Sequence, residues 1–133
     1  MKLTEKQYKE LFSKSLDYKI NKYHNKSVEI DGIKFDSKKE MLRYKELKLM
    51  QKARLISELE LQKKFELQPA FKDNNGKTQR KITYVCDFYY YSNKEKKYIV
   101  EDVKSIATKT QVYKIKKKLF LYKYPEIKFI EYI

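Results

Sequence analysis

Cysteine and histidine are almost missing from this 133-residue chain: Cys86 is the one cysteine and His24 the one histidine. One of each cannot form an intrachain disulfide or a Cys/His zinc site. The only glycines are Gly32 and Gly76. They are too few and too far apart for a Walker phosphate loop or a dinucleotide fingerprint. Arginine is confined to Arg43, Arg54 and Arg80, so the Arg- and His-rich phosphate clamp of tyrosine recombination has no residues to build it. No run approaches the ~18 apolar residues of a membrane helix. The opening Met1-Lys2-Leu3-Thr4-Glu5-Lys6 lacks the apolar segment of a secretory leader. A cytoplasmic location without membrane association is expected.

What is abundant is positive charge. Lys and Arg total 32 against 18 Asp and Glu, a net +14. Such a surface attracts polyanions, of which nucleic acid is the commonest large one. The chain is 41% hydrophobic and 15% aromatic, which is globular rather than disordered. The length predicts one domain over 1–133, large enough to bury a core without staples. There is no internal repeat and no linker rich in Pro, Gly or Ser.

Residues 4–22 read as a basic amphipathic helix, with Thr4 and Gln7 as a capping box and Tyr8, Leu11, Phe12 and Leu16 at helical spacing. Asp31-Gly32 between Val28/Ile30 and Ile33/Phe35 is a type I′ hairpin signal. Ser37 and Glu40 form a second capping box, opening a helix over about 37–54 whose apolar contacts are Met41, Leu42, Tyr44, Leu49 and Ala53. From residue 57 the period becomes two: Leu59, Leu61, Phe65, Leu67 and Phe71 alternate with polar residues as far as the turn Asp73-Asn74-Asn75-Gly76. A strand at about 80–91 carries Ile82, Tyr84, Cys86 and Phe88 on one face and Thr83, Val85, Asp87 and Tyr89 on the other. A strand at about 98–104 aligns Tyr98, Val100, Asp102 and Lys104. Thr108 and Gln111 predict a capped helix to about Tyr122 with the apolar stripe Val112, Ile115, Leu119 and Tyr122, leaving Lys114, Lys117 and Lys118 opposite. A last strand, 127–133, should run parallel to the preceding one through a right-handed crossover.

Asp87 is a carboxylate inside the apolar, aromatic run Tyr84 to Tyr90, where a buried charge is costly unless paired. On the next strand Asp102 and Lys104, two apart, share a face, and Glu101 takes the other. If the strands are hairpin neighbours, Asp87, Asp102 and Lys104 meet at one spot. Two carboxylates and water suit a hard cation, Mg²⁺ or Mn²⁺. Such an ion polarises a phosphodiester and acidifies a bound water, while Lys104 orients that water or steadies developing charge.

With the order αβββαβ, Asp87 and the acidic-x-Lys triplet Asp102-Val103-Lys104 resemble the PD-(D/E)xK nuclease superfamily. The chain is also similar to short phage and prophage proteins of that type. The resemblance lies in Asp31-Gly32-Ile33-Lys34-Phe35-Asp36-Ser37-Lys38-Lys39-Glu40, Phe65-Glu66-Leu67-Gln68-Pro69 and Val100-Glu101-Asp102-Val103-Lys104. It covers 28–133 and leaves 1–27 as an N-terminal basic extension. One departure is Cys86, where the family pattern has proline. The resemblance implies an α/β restriction-endonuclease-like core with a mixed four-stranded sheet. It also implies that Glu40 is a further catalytic and metal-assisting residue and that the Val103 carbonyl is a further metal ligand. By the same analogy the function is a metal-dependent DNA endonuclease in the host cell's cytoplasm. It is expected to be a homodimer acting on branched DNA as the RecU Holliday junction resolvases do. The alternatives are a restriction, transposition or repair nuclease on duplex DNA, and a non-catalytic nucleic-acid-binding protein with a vestigial site. Lys114, Lys117 and Lys118, with Tyr113 and Tyr89, are the candidate DNA contacts.

Overall fold

The computed structural model describes residues 4–7, 28–104 and 109–132. Thr4 and Gln7 form the expected reciprocal capping box: the Gln7 amide donates to Thr4 Oγ1 at 3.1 Å and the Thr4 amide to Gln7 Oε1 at 2.8 Å. The rest of the predicted first helix, His24 included, lies outside the described residues. The chain divides into two compact units, Met1–Leu59 with Tyr90–Lys96, and Glu60–Tyr89 with Lys97–Ile133.

In the first unit, β1 (Val28–Ile30) and β2 (Ile33–Phe35) pair antiparallel. Asp31 and Gly32 have φ of 54° and 74°, the doubly positive signature of a type I′ turn. Helix α1 (Lys38–Lys52) starts at Ser37, whose hydroxyl accepts from the Glu40 amide at 3.1 Å. Met41, Tyr44 and Leu47 are its buried residues, and Phe35 packs on Tyr44 with ring centroids 5.1 Å apart. Leu47 was not among the expected contacts. Leu42 and Leu49, which were, are only half-buried.

The two long strands expected at 57–71 and 80–91 are each broken. The first becomes β3 (Ile56–Leu61), β4 (Lys64–Gln68) and β5 (Phe71–Lys72). The second becomes β7 (Ile82–Val85) and β8 (Phe88–Ser92), preceded by β6 (Thr78–Gln79), which pairs with β5. The main breaks face each other. Gln62 has a positive φ of 51°, its amide donates to the Asp87 carbonyl at 3.1 Å, and the Cys86 amide donates to the Lys63 carbonyl at 3.1 Å. Hydrogen bonding thus continues across an irregular step that ends regular pleating, as bulges do.

Beyond the breaks, β4 pairs antiparallel with β7. On the other side β10 (Lys128–Tyr132), β9 (Lys97–Val103), β8 and β3 hydrogen-bond in that order as a four-stranded sheet. β10 runs parallel to β9, from Lys128 opposite Ile99 to Tyr132 opposite Val103, as the crossover predicts. The fold is therefore α+β with a mixed four-stranded sheet.

The second unit's core is mainly aromatic, with Phe65, Tyr84, Tyr113 and Phe120 packed together with Cys86 and Val100. Helix α2 (Gln111–Lys123) is capped by Thr110, whose hydroxyl accepts from the Tyr113 amide at 3.1 Å. The expected cap Thr108 lies outside the described residues. The helix is also rotated from expectation. Tyr113 and Phe120 face the core, while Val112, Ile115, Leu119 and Tyr122 are exposed. Two aromatic rings seven residues apart outweigh a stripe of smaller side chains, because each ring buries more apolar surface.

Candidate metal centre

Asp87 lies in the break between β7 and β8, not in mid-strand as the sequence reading placed it. An unbroken strand would fix its side chain opposite Tyr84 and Cys86. The irregular step instead lets Oδ2 accept from the Val103 amide at 2.7 Å, one residue on from Asp102. Asp102 itself is buried, 2% exposed. Its Oδ2 accepts a hydrogen bond from the Tyr84 hydroxyl. Its Oδ1 has no hydrogen bond of proper geometry, and the Lys104 ammonium forms an ion pair with it at 3.1 Å. Burial raises the Asp102 pKa above the usual carboxylate range, and the nearby charge of Asp87 adds to the rise. The Tyr84 and Lys104 contacts work in the other direction.

The sequence-predicted trio is therefore brought together. Lys104 is held from two sides, by Asp102 and by the Tyr113 ring, whose centroid lies 4.4 Å from the ammonium. Val103 takes part through its amide. Glu40 belongs to the first unit, where its carboxylate accepts from the Asp36 amide at 3.3 Å as part of the cap of α1. Glu101 is on the other face of β9 by parity, yet it is fully buried as well, so this central strand is covered on both faces.

Do the residues fit a metal ion? Two like-charged carboxylates, one buried with an under-satisfied oxygen, are what a hard divalent cation neutralises. Among the described residues no three His, Cys, Asp or Glu side chains gather into a cage. Mg²⁺ does not need such a cage, since it binds through one or two carboxylates and keeps several waters. Cys86 offers no help as a ligand. It is buried, and desolvation pushes its thiol up to about 12.

Beside this pair lies a basic cavity of about 310 Å³ lined by Lys109, Tyr113, Lys114, Lys117, Lys118, Leu121 and Glu131. It collects the predicted contacts but gives them different roles. Tyr113 is buried, and its hydroxyl donates to Glu131 at 2.7 Å, so it is a structural and lysine-positioning residue, not a surface contact. Lys117 pairs with Glu131 at 2.9 Å and Lys109 does so at 3.5 Å. Lys114 and Lys118 are exposed. Tyr89 stacks on Tyr98, with centroids 5.1 Å apart and planes 3° from parallel.

Tyr84, Lys109 and Glu131 escaped the sequence reading. Tyr84 looked like one more core aromatic, and only the pairing of strands shows that its hydroxyl ends at Asp102. Glu131 gave a usable signal, a lone acid in an apolar terminal strand, of the same kind that singled out Asp87.

Glu131 also carries a pH prediction. Its hydrogen bonds from Tyr113 and Lys117 lower its pKa from the ordinary 4.5 to about 2. A depressed carboxylate stabilises the fold above its unfolded pKa, and that stability is lost as pH falls through the folded value. Glu131→Gln should therefore lower the Tm at pH 7, and the deficit should shrink between about pH 4.5 and pH 2, as followed by circular dichroism melts.

A mixed α+β domain with a buried, lysine-paired aspartate (Asp102), a second, half-buried aspartate (Asp87) near it and a basic cavity alongside is the class that the fold and site define. The chain belongs to the family described as "Protein of unknown function (DUF1064)", which matches residues 20–133. No curated protein and no solved structure matches it. Among the described residues no helix is long and apolar enough to cross a membrane.

Proposed function

We propose that this protein is a divalent-metal-dependent DNA endonuclease of the PD-(D/E)xK type, encoded by a phage or prophage. The observation that carries the reading is Asp102. It is a buried carboxylate near the charge of Asp87, and one of its oxygens is held by the Lys104 ammonium as an ion pair and not by a hydrogen bond of proper geometry. Folding rarely retains such a group unless it serves a site.

Asp87 and Asp102 would hold the ion, with the Val103 carbonyl as a further ligand by family analogy. When bound, Mg²⁺ or Mn²⁺ supplies polarisation of the phosphodiester and an acidified water. The chain's own contribution is positional. Tyr84 fixes the Asp102 carboxylate. The Tyr113 ring and Asp102 fix the Lys104 ammonium, which serves the attacking water or the developing negative charge. The net +14 supplies affinity for DNA. Branched DNA is the preferred substrate, cut by a homodimer, because symmetric resolution of a four-way junction requires two sites. Ordinary duplex is the second choice.

The deciding experiment incubates the protein with labelled four-way junction, duplex and single strand, each with Mg²⁺, Mn²⁺ or chelator. Cleavage of the junction with metal alone supports the full reading. Cleavage of duplex alone moves it to a restriction or repair role. Binding without any cleavage replaces it with a non-catalytic nucleic-acid-binding protein.

The exposed lysines make a separate prediction. Each duplex phosphate neutralised adds about 0.9 to the slope of log affinity against log salt. Lys114→Ala with Lys118→Ala should flatten that slope by about 2, measured by fluorescence anisotropy on a labelled duplex. Lys117→Ala should change it less, since Glu131 already holds that ammonium.

A further inference from the structure

The outer face of α2 remains unused by the proposed chemistry. Val112, Ile115, Leu119 and Tyr122 are 62%, 58%, 39% and 88% exposed. Their spacing of three, four and three is the a/d pattern of a helix–helix seam. At 100° per residue the four fall within an arc of about 80°. That is narrower than the broad apolar face with which a helix enters a core or lies in a lipid interface, and it matches the width of a seam for one other helix.

Charge indicates which helix. Gln111–Lys123 contains five lysines and no acidic residue. On the helical wheel Lys116 and Lys123 border the stripe on one side, and Lys118 and Lys114 on the other. A second copy of α2 laid on this seam would bring lysine rows against lysine rows, which is how like-charged flanks exclude a partner in helix pairing. A helix with Asp or Glu flanking its own apolar seam is complementary in both shape and sign.

We propose that this face docks an acidic amphipathic helix of a partner protein, seated on Val112, Ile115, Leu119 and Tyr122 between the two lysine rows. The inference stands on the exposed stripe and its flanks and does not need the nuclease reading. Because Lys114 and Lys118 also line the basic cavity, a bound acidic partner covers lysines that DNA would otherwise meet.

The probe is a designed peptide of about 20 residues, long enough to hold a helix on binding, with Leu and Ile at a and d and Glu at e and g. Its control has Lys at e and g. Each is titrated with the full chain and followed by fluorescence anisotropy. The Glu peptide should bind saturably, and the Lys peptide should bind at least about tenfold more weakly, a difference of 1.4 kcal/mol. The double variant Ile115→Ser, Leu119→Ser adds no charge and alters only exposed positions. It should weaken the Glu peptide at least about tenfold while the protein still melts cooperatively, with only a small fall in Tm. Absence of Glu-peptide binding, equal binding of the two peptides, or an unaffected double variant would overturn the proposal. So would concentration-dependent self-association abolished by the double variant, which assigns the face to a second copy. Preferential binding to phosphatidylglycerol vesicles over the Glu peptide would overturn it in favour of a membrane surface.

Discussion

Asp102→Asn is expected to slow metal-dependent cleavage by roughly a thousandfold, at 1.36 kcal/mol per factor of ten, with DNA binding retained or tightened. The substitution keeps the shape of the side chain, and the amide oxygen can still accept from Tyr84. It removes the charge that would hold a cation and that pairs with Lys104 at 3.1 Å. The fold should tolerate the change without metal and gain from it near neutral pH. Burial and the neighbouring Asp87 already disfavour the ionised form of Asp102. Stability from a carboxylate whose folded pKa is raised grows as pH falls, and the variant escapes that penalty at neutral pH. Single-turnover cleavage, anisotropy binding and a thermal melt on one preparation separate the three quantities. A variant that cuts at the parent rate removes Asp102 from the chemistry. One that neither binds nor melts cooperatively shows the carboxylate to be structural. Glu101 is a poor control despite its opposite parity, because it is fully buried in the same strand. Glu126, exposed in the loop before β10, is the better one.

Phe120→Ala should destabilise the protein by about 3–5 kcal/mol, the usual result of deleting a buried aromatic ring. Phe120 is completely buried, and four rings surround it, those of Phe65, Tyr84, Tyr124 and Phe129, at centroid distances of 5.0 to 5.7 Å. A cavity there touches Tyr84, whose hydroxyl holds Asp102, so cleavage should suffer even under conditions where the variant remains folded. With total stabilities of about 5–15 kcal/mol for a domain, urea unfolding at 25 °C will show a large fall in midpoint. A change below about 1 kcal/mol would mean that the aromatic cluster is not the core of this unit. Leu119→Ala, one residue earlier and partly exposed, should cost far less, which makes the pair a direct test of how α2 is rotated.

That rotation marks where the sequence stopped being legible. Local chemistry read well. The Asp31-Gly32 turn, the Ser37 cap and the Thr4–Gln7 box depend on residues within four positions of one another, and all are found. The parallel pairing of the last two strands also followed, because a strand–helix–strand crossover leaves little choice. Periodicity in α2 misled because two faces were both apolar enough to be the core. The choice fell to Tyr113 and Phe120 through packing against β4 and β7, which no window of the helix contains. The breaks at Gln62 and Cys86–Asp87 were invisible for the same reason. Alternation persists through them, and only the cross-strand hydrogen bonds reveal the irregular step. For the site, the carboxylates and Lys104 were readable as charges in apolar strands. Their supports were not, since Tyr84 and Tyr113 look like ordinary core aromatics until their hydroxyls are traced to Asp102 and Glu131.

The measurement that bears most directly on the central claim is a Mn²⁺ titration of the DNA-free protein, read by electron paramagnetic resonance of the unbound ion. The account predicts saturable binding in the parent that is lost in both Asp87→Asn and Asp102→Asn and kept in Glu126→Gln. Absence of binding in the parent, or binding that survives both aspartate substitutions, would contradict it.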